Sequence, residues 1–150
     1  MEAQQDFKEL LACLNAHGVD YMVVGGYALA FHGAPRFTGD LDVWVRSDVE
    51  NARRVLAALA DFGFGSLDLK EADFTAADRV IQLGVPPVRV DIVTSISGVT
   101  WNQAAPRRVP GQYGEAKVFY ISRADFIVNK RACGRRKDLA DIEALEEKPD

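Results

Sequence analysis

Residues 23–45 read VVGGYALAFHGAPRFTGDLDVWV. An apolar strand runs into Gly25-Gly26, a short apolar segment follows, and beyond the turn at Gly33 to Pro35 the chain re-enters a strand that carries Asp40 and Asp42. Successive side chains of a strand point to opposite faces, so Leu41, Val43 and Val45 belong to the core and Asp40, Asp42 and Trp44 to the other side. Carboxylates within an apolar strand need a chemical reason, because an unpaired buried charge is costly. The later run RVDIV, residues 89–93, sorts in the same way: Val88, Val90 and Ile92 form an apolar face, and Arg89 and Asp91 share the opposite one. If the two strands are neighbours, three carboxylates meet on one sheet face, where their repulsion favours protonation unless cations neutralise them. Hard oxygen ligands with open positions for water and phosphate suit Mg²⁺, and clusters of this kind build two-metal phosphoryl-transfer sites.

The rest of the chain alternates between helical and strand periods. Phe7, Leu10, Leu11 and Leu14 predict an amphipathic helix ending near Gly18, followed by a short buried strand from Tyr21 to Val24 and a short helix from Tyr27 to Phe31. After the strand Asp40 to Val45, Ser47-Asp48-Val49-Glu50 reads as a capping box. Ala52, Val55, Leu56 and Leu59 then give a helix that stops at Gly63. Residues 64–78 carry no clear period. Arg79 to Leu83 and Val88 to Val93 predict two strands joined as a hairpin at Gly84 to Pro87. A loop and short helix lead to a strand from Lys117 to Ile121, Ser122 to Asp125 caps another helix, and Leu139, Ile142 and Leu145 mark a terminal one. The expected fold is α/β (α+β), a small mixed sheet flanked by helices. A length of 150 residues with 48% hydrophobic content predicts one domain spanning 1–150.

Composition excludes some functions. A net charge of −4 argues against a surface that coats polyanions, so any nucleotide contact is local. Cys13 and Cys133 stand far apart without C-x-x-C or histidine company and read as reduced thiols. The N-terminus is acidic and amphipathic, and no stretch approaches eighteen apolar residues, which predicts a cytoplasmic protein with no membrane partner.

Gly25-Gly26 lies between a strand and a helix, where missing side chains let a phosphate approach backbone N–H groups. Alone, such a joint is also an ordinary tight turn, and a D-x-D pair is also a solvated edge strand. Together they carry a resemblance. Val24-Gly25-Gly26 followed by Asp40-Leu41-Asp42-Val43 resembles the signature of the nucleotidyltransferase superfamily that includes DNA polymerase β, and RVDIV with Asp91 resembles the segment bearing its third carboxylate. GGYALAFHGAPRFTGDLDVWV and KRACGRRKDLADIEAL are similar to small bacterial nucleotidyltransferases of the AbiEii type and to the minimal nucleotidyltransferases of toxin–antitoxin loci.

This resemblance implies a polymerase-β-like nucleotidyltransferase fold and Mg²⁺, two ions, bound by Asp40, Asp42 and Asp91, with Asp91 also helping to activate the attacking hydroxyl. Gly25 and Gly26 would hold the triphosphate of an NTP such as ATP. The acceptor, attacking the α-phosphate in line with loss of pyrophosphate, would be a protein side chain, a tRNA end or a small molecule. Arg36 either reaches the phosphates or pairs with a site carboxylate. Lys130, Arg131, Arg135, Arg136 and Lys137 read from charge alone as a solvated helix face. The recurrence of KDLADI in the resembling proteins implies instead that Lys130 and Lys137 bind nucleotide and neutralise the departing pyrophosphate. His17 and His32 read as a helix-end residue and a structural hydrogen-bonder, and Trp44 and Trp101 as core packing or base stacking. Two rival functions use some of the same residues: a nucleotide-binding, antitoxin-like interaction protein with little or no turnover, and a metal-dependent phosphodiesterase. Three mutually repelling acids favour the transferase over the first, and the glycine pair favours it over the second.

Overall fold

The computed structural model describes residues 4–35, 39–65, 67–85 and 87–147. Its elements run α1 (Gln5–Ala16), β1 (Tyr21–Val24), α2 (Gly25–Phe31), β2 (Asp40–Val45), α3 (Val49–Leu59), a π turn (Ala60–Phe64), α4 (Glu71–Thr75), β3 (Val80–Leu83) and β4 (Arg89–Val93). There follow α5 (Trp101–Ala104) with a 3₁₀ turn (Ala105–Arg107), β5 (Val109–Tyr113), β6 (Ala116–Tyr120), α6 (Arg123–Cys133) and α7 (Arg136–Glu146). The six strands form one mixed sheet in the order β3-β4-β2-β1-β6-β5. β1 runs antiparallel to β2 and parallel to β6, β2 parallel to β4, and the two outer pairs are antiparallel.

The apolar stripe of α1 (Phe7, Leu10, Leu11 and Leu14) is buried against α3 and β6, joined by the inward side chains Leu41, Val43 and Val45 of β2 and Val90 and Ile92 of β4. This is the alternation expected of a half-buried sheet. Trp44 is also buried, edge-on to Trp101 with ring centroids 5.2 Å apart, so both tryptophans pack rather than offer an open stacking surface. Cys13 and Cys133 are both free thiols.

Three local expectations are corrected. The helix after β2 is capped by Asp48, whose Oδ1 accepts from Asn51 N at 2.8 Å, and not by a Ser47–Glu50 box. The N–H so capped is that of the third helical residue, and the Asn51 side chain is itself buried, accepting from Asp20 N and donating to the carbonyls of Asp20 and Arg46. α2 begins at Gly25 rather than Tyr27, so the glycine pair is its first turn. The end expected at Gly63 is found there: past Leu59 the helix widens into the π turn, and Gly63 leaves the helical region with φ +119°. Strand β5, VPGQY, lay inside the segment read as loop: proline and glycine argue against a strand, and an edge position is where a sheet tolerates them. A Cβ at Gly111 would stand 2.6 Å from Phe31 Cε1 and 3.0 Å from Tyr120 Cε2, and its absence lets those two rings stack at 4.0 Å.

Candidate functional site

The β2·β4 register pairs Asp40 with Arg89 and Asp42 with Asp91. Partners in a ladder share a face, so Asp40, Asp42, Arg89 and Asp91 all project to the side opposite Leu41 and Val90. β3 extends the face, because its Gln82 is paired with Asp91 and its Val80 with Val93. The end of β1 supplies the next wall: Val24 is the partner of Asp42, and Gly25 follows at once.

Gly25 is required twice. Its φ of +69° belongs to the left-handed region, and a Cβ built there would overlap Oδ2 of Asp42 and lie 3.0 Å from its Cγ. The carboxylate of Asp42 is therefore seated against bare backbone at the start of α2. Facing it across the cleft are α6 and α7. Lys130, buried near the end of α6, holds Nζ 3.5 Å from Oδ1 of Asp138 and 5.4 Å from the Phe126 ring centroid. Asp138, fully buried in the first turn of α7, also accepts from Arg135 Nε at 2.7 Å and from Arg135 N at 3.2 Å. Burial opposes ionisation of Asp138, but the Arg135 hydrogen bonds and the Lys130 charge outweigh it and hold its carboxyl below the usual range.

These elements enclose a cleft of about 620 Å³ lined by Gly25, Gly26, Gly39, Asp40, Asp42, Arg89, Asp91, Lys130, Arg135 and Lys137, with Val80 and Val93 toward the β3 edge. One wall is acidic and the other basic. Burial, then the charge of Asp91, pushes Asp42 up from its ordinary 3.8 to about 6; Asp40 adds to the rise, and Lys130 and Arg89 oppose it. Arg89 answers part of the negative charge by a fork-on-fork pair with Asp91 (Nε–Oδ1 and Nη2–Oδ2, both 3.2 Å) and a contact with Asp40 Oδ2 at 3.6 Å. Among the described residues no three His, Cys, Asp or Glu side chains form a ready-made metal cage. Among the described residues, the guanidinium of Arg89 is the cation in direct contact with these aspartates, and Lys130 acts on Asp42 from across the cleft. The donor set itself fits a hard divalent ion: the donors are carboxylate oxygens of Asp40, Asp42 and Asp91 on one sheet face, and the part of the Asp42 rise that comes, after burial, from the charges of Asp91 and Asp40 is what such an ion would offset.

The cleft thus brings together seven of the eight residues singled out from sequence, namely Gly25, Gly26, Asp40, Asp42, Asp91, Lys130 and Lys137. Arg36 lies outside the described residues. Arg131 points elsewhere, 3.4 Å from Glu146 on the exposed face of α6. His32 Nε2 pairs with the carbonyl of Ile121 at 2.7 Å, and His17 caps α1 with Nε2 3.2 Å from Asp61, both away from the cleft lining. Arg89, which the sequence marks only by its strand face, and Arg135, which reads there as part of a solvated helix face, also line the cleft. The two-residue period that assigned Asp91 to the acidic face assigned Arg89 as well, whereas the pairing of Arg135 with Asp138 required knowing that Asp138 is buried.

The same fold occurs in solved structures of low sequence identity. TM1012 from Thermotoga maritima, provisionally described as a nucleotidyltransferase, is 17% identical with a TM-score of 0.60, covering 94% of this chain and 88% of that one. The lincosamide antibiotic adenylyltransferase LnuA, solved with lincomycin bound, is 14% identical with a TM-score of 0.58 and 99% coverage of both chains. An antigenic nucleotidyltransferase-like protein from Paracoccidioides brasiliensis is 19% identical with a TM-score of 0.55, covering 96% and 77%. No curated protein sequence matches significantly. The family model described as Aminoglycoside-2''-adenylyltransferase matches residues 6–128, from α1 through the cleft into α6, and the chain belongs to that family of nucleotidyltransferases.

Proposed function

We propose that the protein is a Mg²⁺-dependent nucleotidyltransferase that moves the NMP of an NTP onto a hydroxyl group of a small molecule. The observation that carries the reading is the two-walled cleft, in which Gly25 backs onto Asp42 beneath a basic wall of Lys130, Arg135 and Lys137. In this reading Asp40, Asp42 and Asp91 hold the metal, which supplies positive charge to the phosphates. Gly25 and Gly26 leave room for the triphosphate to approach the backbone, and Lys130 and Lys137 face the charge that gathers on the leaving pyrophosphate. The acceptor oxygen bonds to the α-phosphorus, the bond from that phosphorus to the bridging oxygen breaks, and the hydroxyl proton leaves toward the acidic wall, where Asp91 is assigned to receive it.

A small-molecule acceptor is preferred to a protein or tRNA because the family takes its name from an aminoglycoside and LnuA, of matching length, was solved with lincomycin. An NTP substrate fits a cytoplasmic setting. No helix among the described residues is long and apolar enough to cross a membrane.

The test is incubation of the protein with Mg²⁺ and each α-labelled NTP, first with purified aminoglycosides and lincosamides and then with a cell lysate fractionated into protein, RNA and small molecules. Label in the small-molecule fraction with wild type but not with Asp42→Asn is the expected result. Label in protein or tRNA would move the reading to a toxin–antitoxin setting, and nucleotide binding with no transfer anywhere would favour the antitoxin-like interaction protein.

A further inference from the structure

We propose that Arg89 is the resident counter-cation of the acidic wall, and that a divalent ion enters by breaking its fork-on-fork pair with Asp91. The proposal rests on the reading of Asp40, Asp42 and Asp91 as metal ligands and adds a control element to it. Three observations carry it. First, the register that sets Asp42 beside Asp91 also sets Asp40 beside Arg89, so the guanidinium is rooted on the face that the carboxylates occupy. Second, Arg89 engages both oxygens of Asp91 at 3.2 Å and approaches Asp40 at 3.6 Å, the geometry in which a guanidinium binds a carboxylate most strongly. Third, Arg89 has a second holder: the side-chain oxygen of Gln82, in the amide orientation that satisfies it, accepts from Arg89 Nη1 at 2.8 Å, and Gln82 is the ladder partner of Asp91.

An oxygen of Asp91 engaged by the guanidinium fork is less available to a metal. Without the ion, Arg89 limits the repulsion among the acids. With the ion, the same positive charge opposes a second, doubly charged occupant. Gln82, on the β3 edge, offers the displaced guanidinium a neutral partner that does not compete for the metal. Arg89 is therefore a positioning residue that sets metal affinity, and its removal is expected to tighten divalent-ion binding while leaving the nucleotide-free protein less well neutralised.

The test uses the full chain without nucleotide and reads Mn²⁺ binding by electron paramagnetic resonance, with Mg²⁺ as competitor, in wild type, Arg89→Gln and Arg89→Lys. Arg89→Gln is expected to bind Mn²⁺ about tenfold tighter, on the order of 1.4 kcal/mol, and to gain more in melting temperature than wild type on adding Mn²⁺. Arg89→Lys, which keeps the charge but loses the fork, is expected to fall between the two, and it carries the test if Arg89→Gln does not fold. Wild type that binds Mn²⁺ with neither folded variant binding it more tightly would overturn this inference and leave the metal site standing. No Mn²⁺ binding by any of the three would overturn both.

Discussion

Asp42→Asn should make the protein more stable at neutral pH when divalent ions are chelated, an unusual outcome for a change at a proposed catalytic centre. Asp42 sits half-buried against Gly25 with Asp91 as its ladder partner, and burial followed by the Asp91 charge lifts its carboxyl from 3.8 to about 6. Because the folded protein binds this proton more tightly than the unfolded chain, the contribution to stability is fully present below about pH 4 and is lost as pH rises through about 6. The difference between 3.8 and about 6 corresponds to about 3 kcal/mol as a ceiling. Solvent access to this partly open wall reduces the expected gain to about 1–2 kcal/mol. Urea unfolding of both proteins in chelator from pH 4 to 8 checks it: Asp42→Asn should be the more stable at pH 7.5, with the gap narrowing toward pH 4. Saturating Mg²⁺ should then stabilise wild type more than the variant. A variant no more stable than wild type at pH 7.5, or a gap that ignores pH, would refute the electrostatic account of the acidic wall.

Gly25→Ala forces a side chain into the left-handed region, at about 1–2 kcal/mol, and into the Asp42 carboxylate; the melting temperature and the Mn²⁺ affinity should both fall, and unchanged metal binding would count against the close packing of these residues. Lys137→Ala should cut the kcat/KM of nucleotide transfer at least tenfold, about 1.4 kcal/mol, while Arg131→Ala, whose side chain pairs with Glu146 outside the cleft, changes it little. Asp138→Asn removes the buried carboxylate that Lys130 and Arg135 share, so it should cost about 3 kcal/mol of stability in urea unfolding and weaken binding of a non-hydrolysable NTP analogue several-fold. Binding at wild-type strength in folded Asp138→Asn would mean that Lys130 does not depend on Asp138 for its position.

Much of the acidic wall was legible because a strand has a simple period. Leu41, Val43 and Val45 fixed one face of β2, Val90 and Ile92 fixed one face of β4, and the aspartates had only the other side left to them. The parallel pairing of β2 with β4 was not legible, since register between distant strands leaves no local mark. The basic wall was half legible: KDLADI drew attention to Lys137, but the reason Lys130 is held in the cleft is Asp138, a burial that no periodicity announces. β5 was hidden by Pro110 and Gly111, residues that an edge strand accepts and an interior one does not. The strand period sets Arg89 on the acidic face, but its pairing with Asp91 and Asp40 depends on side-chain geometry that the sequence does not carry.

The parallel β2·β4 ladder has a consequence for the newly made chain. Parallel neighbours cannot be joined by a tight turn, and here α3, the π turn, α4 and β3 all intervene between Asp42 and Asp91. Gly25, Asp40 and Asp42 are synthesised well before their partner. Pairings between distant segments carry a large closure entropy and form late, so a ribosome-bound chain that ends before β4 offers Mg²⁺ an isolated D-x-D pair on an incomplete sheet. If the three aspartates bind metal as proposed, metal affinity arrives together with the long-range topology, and ion binding by successively longer nascent chains would time the closing of the sheet.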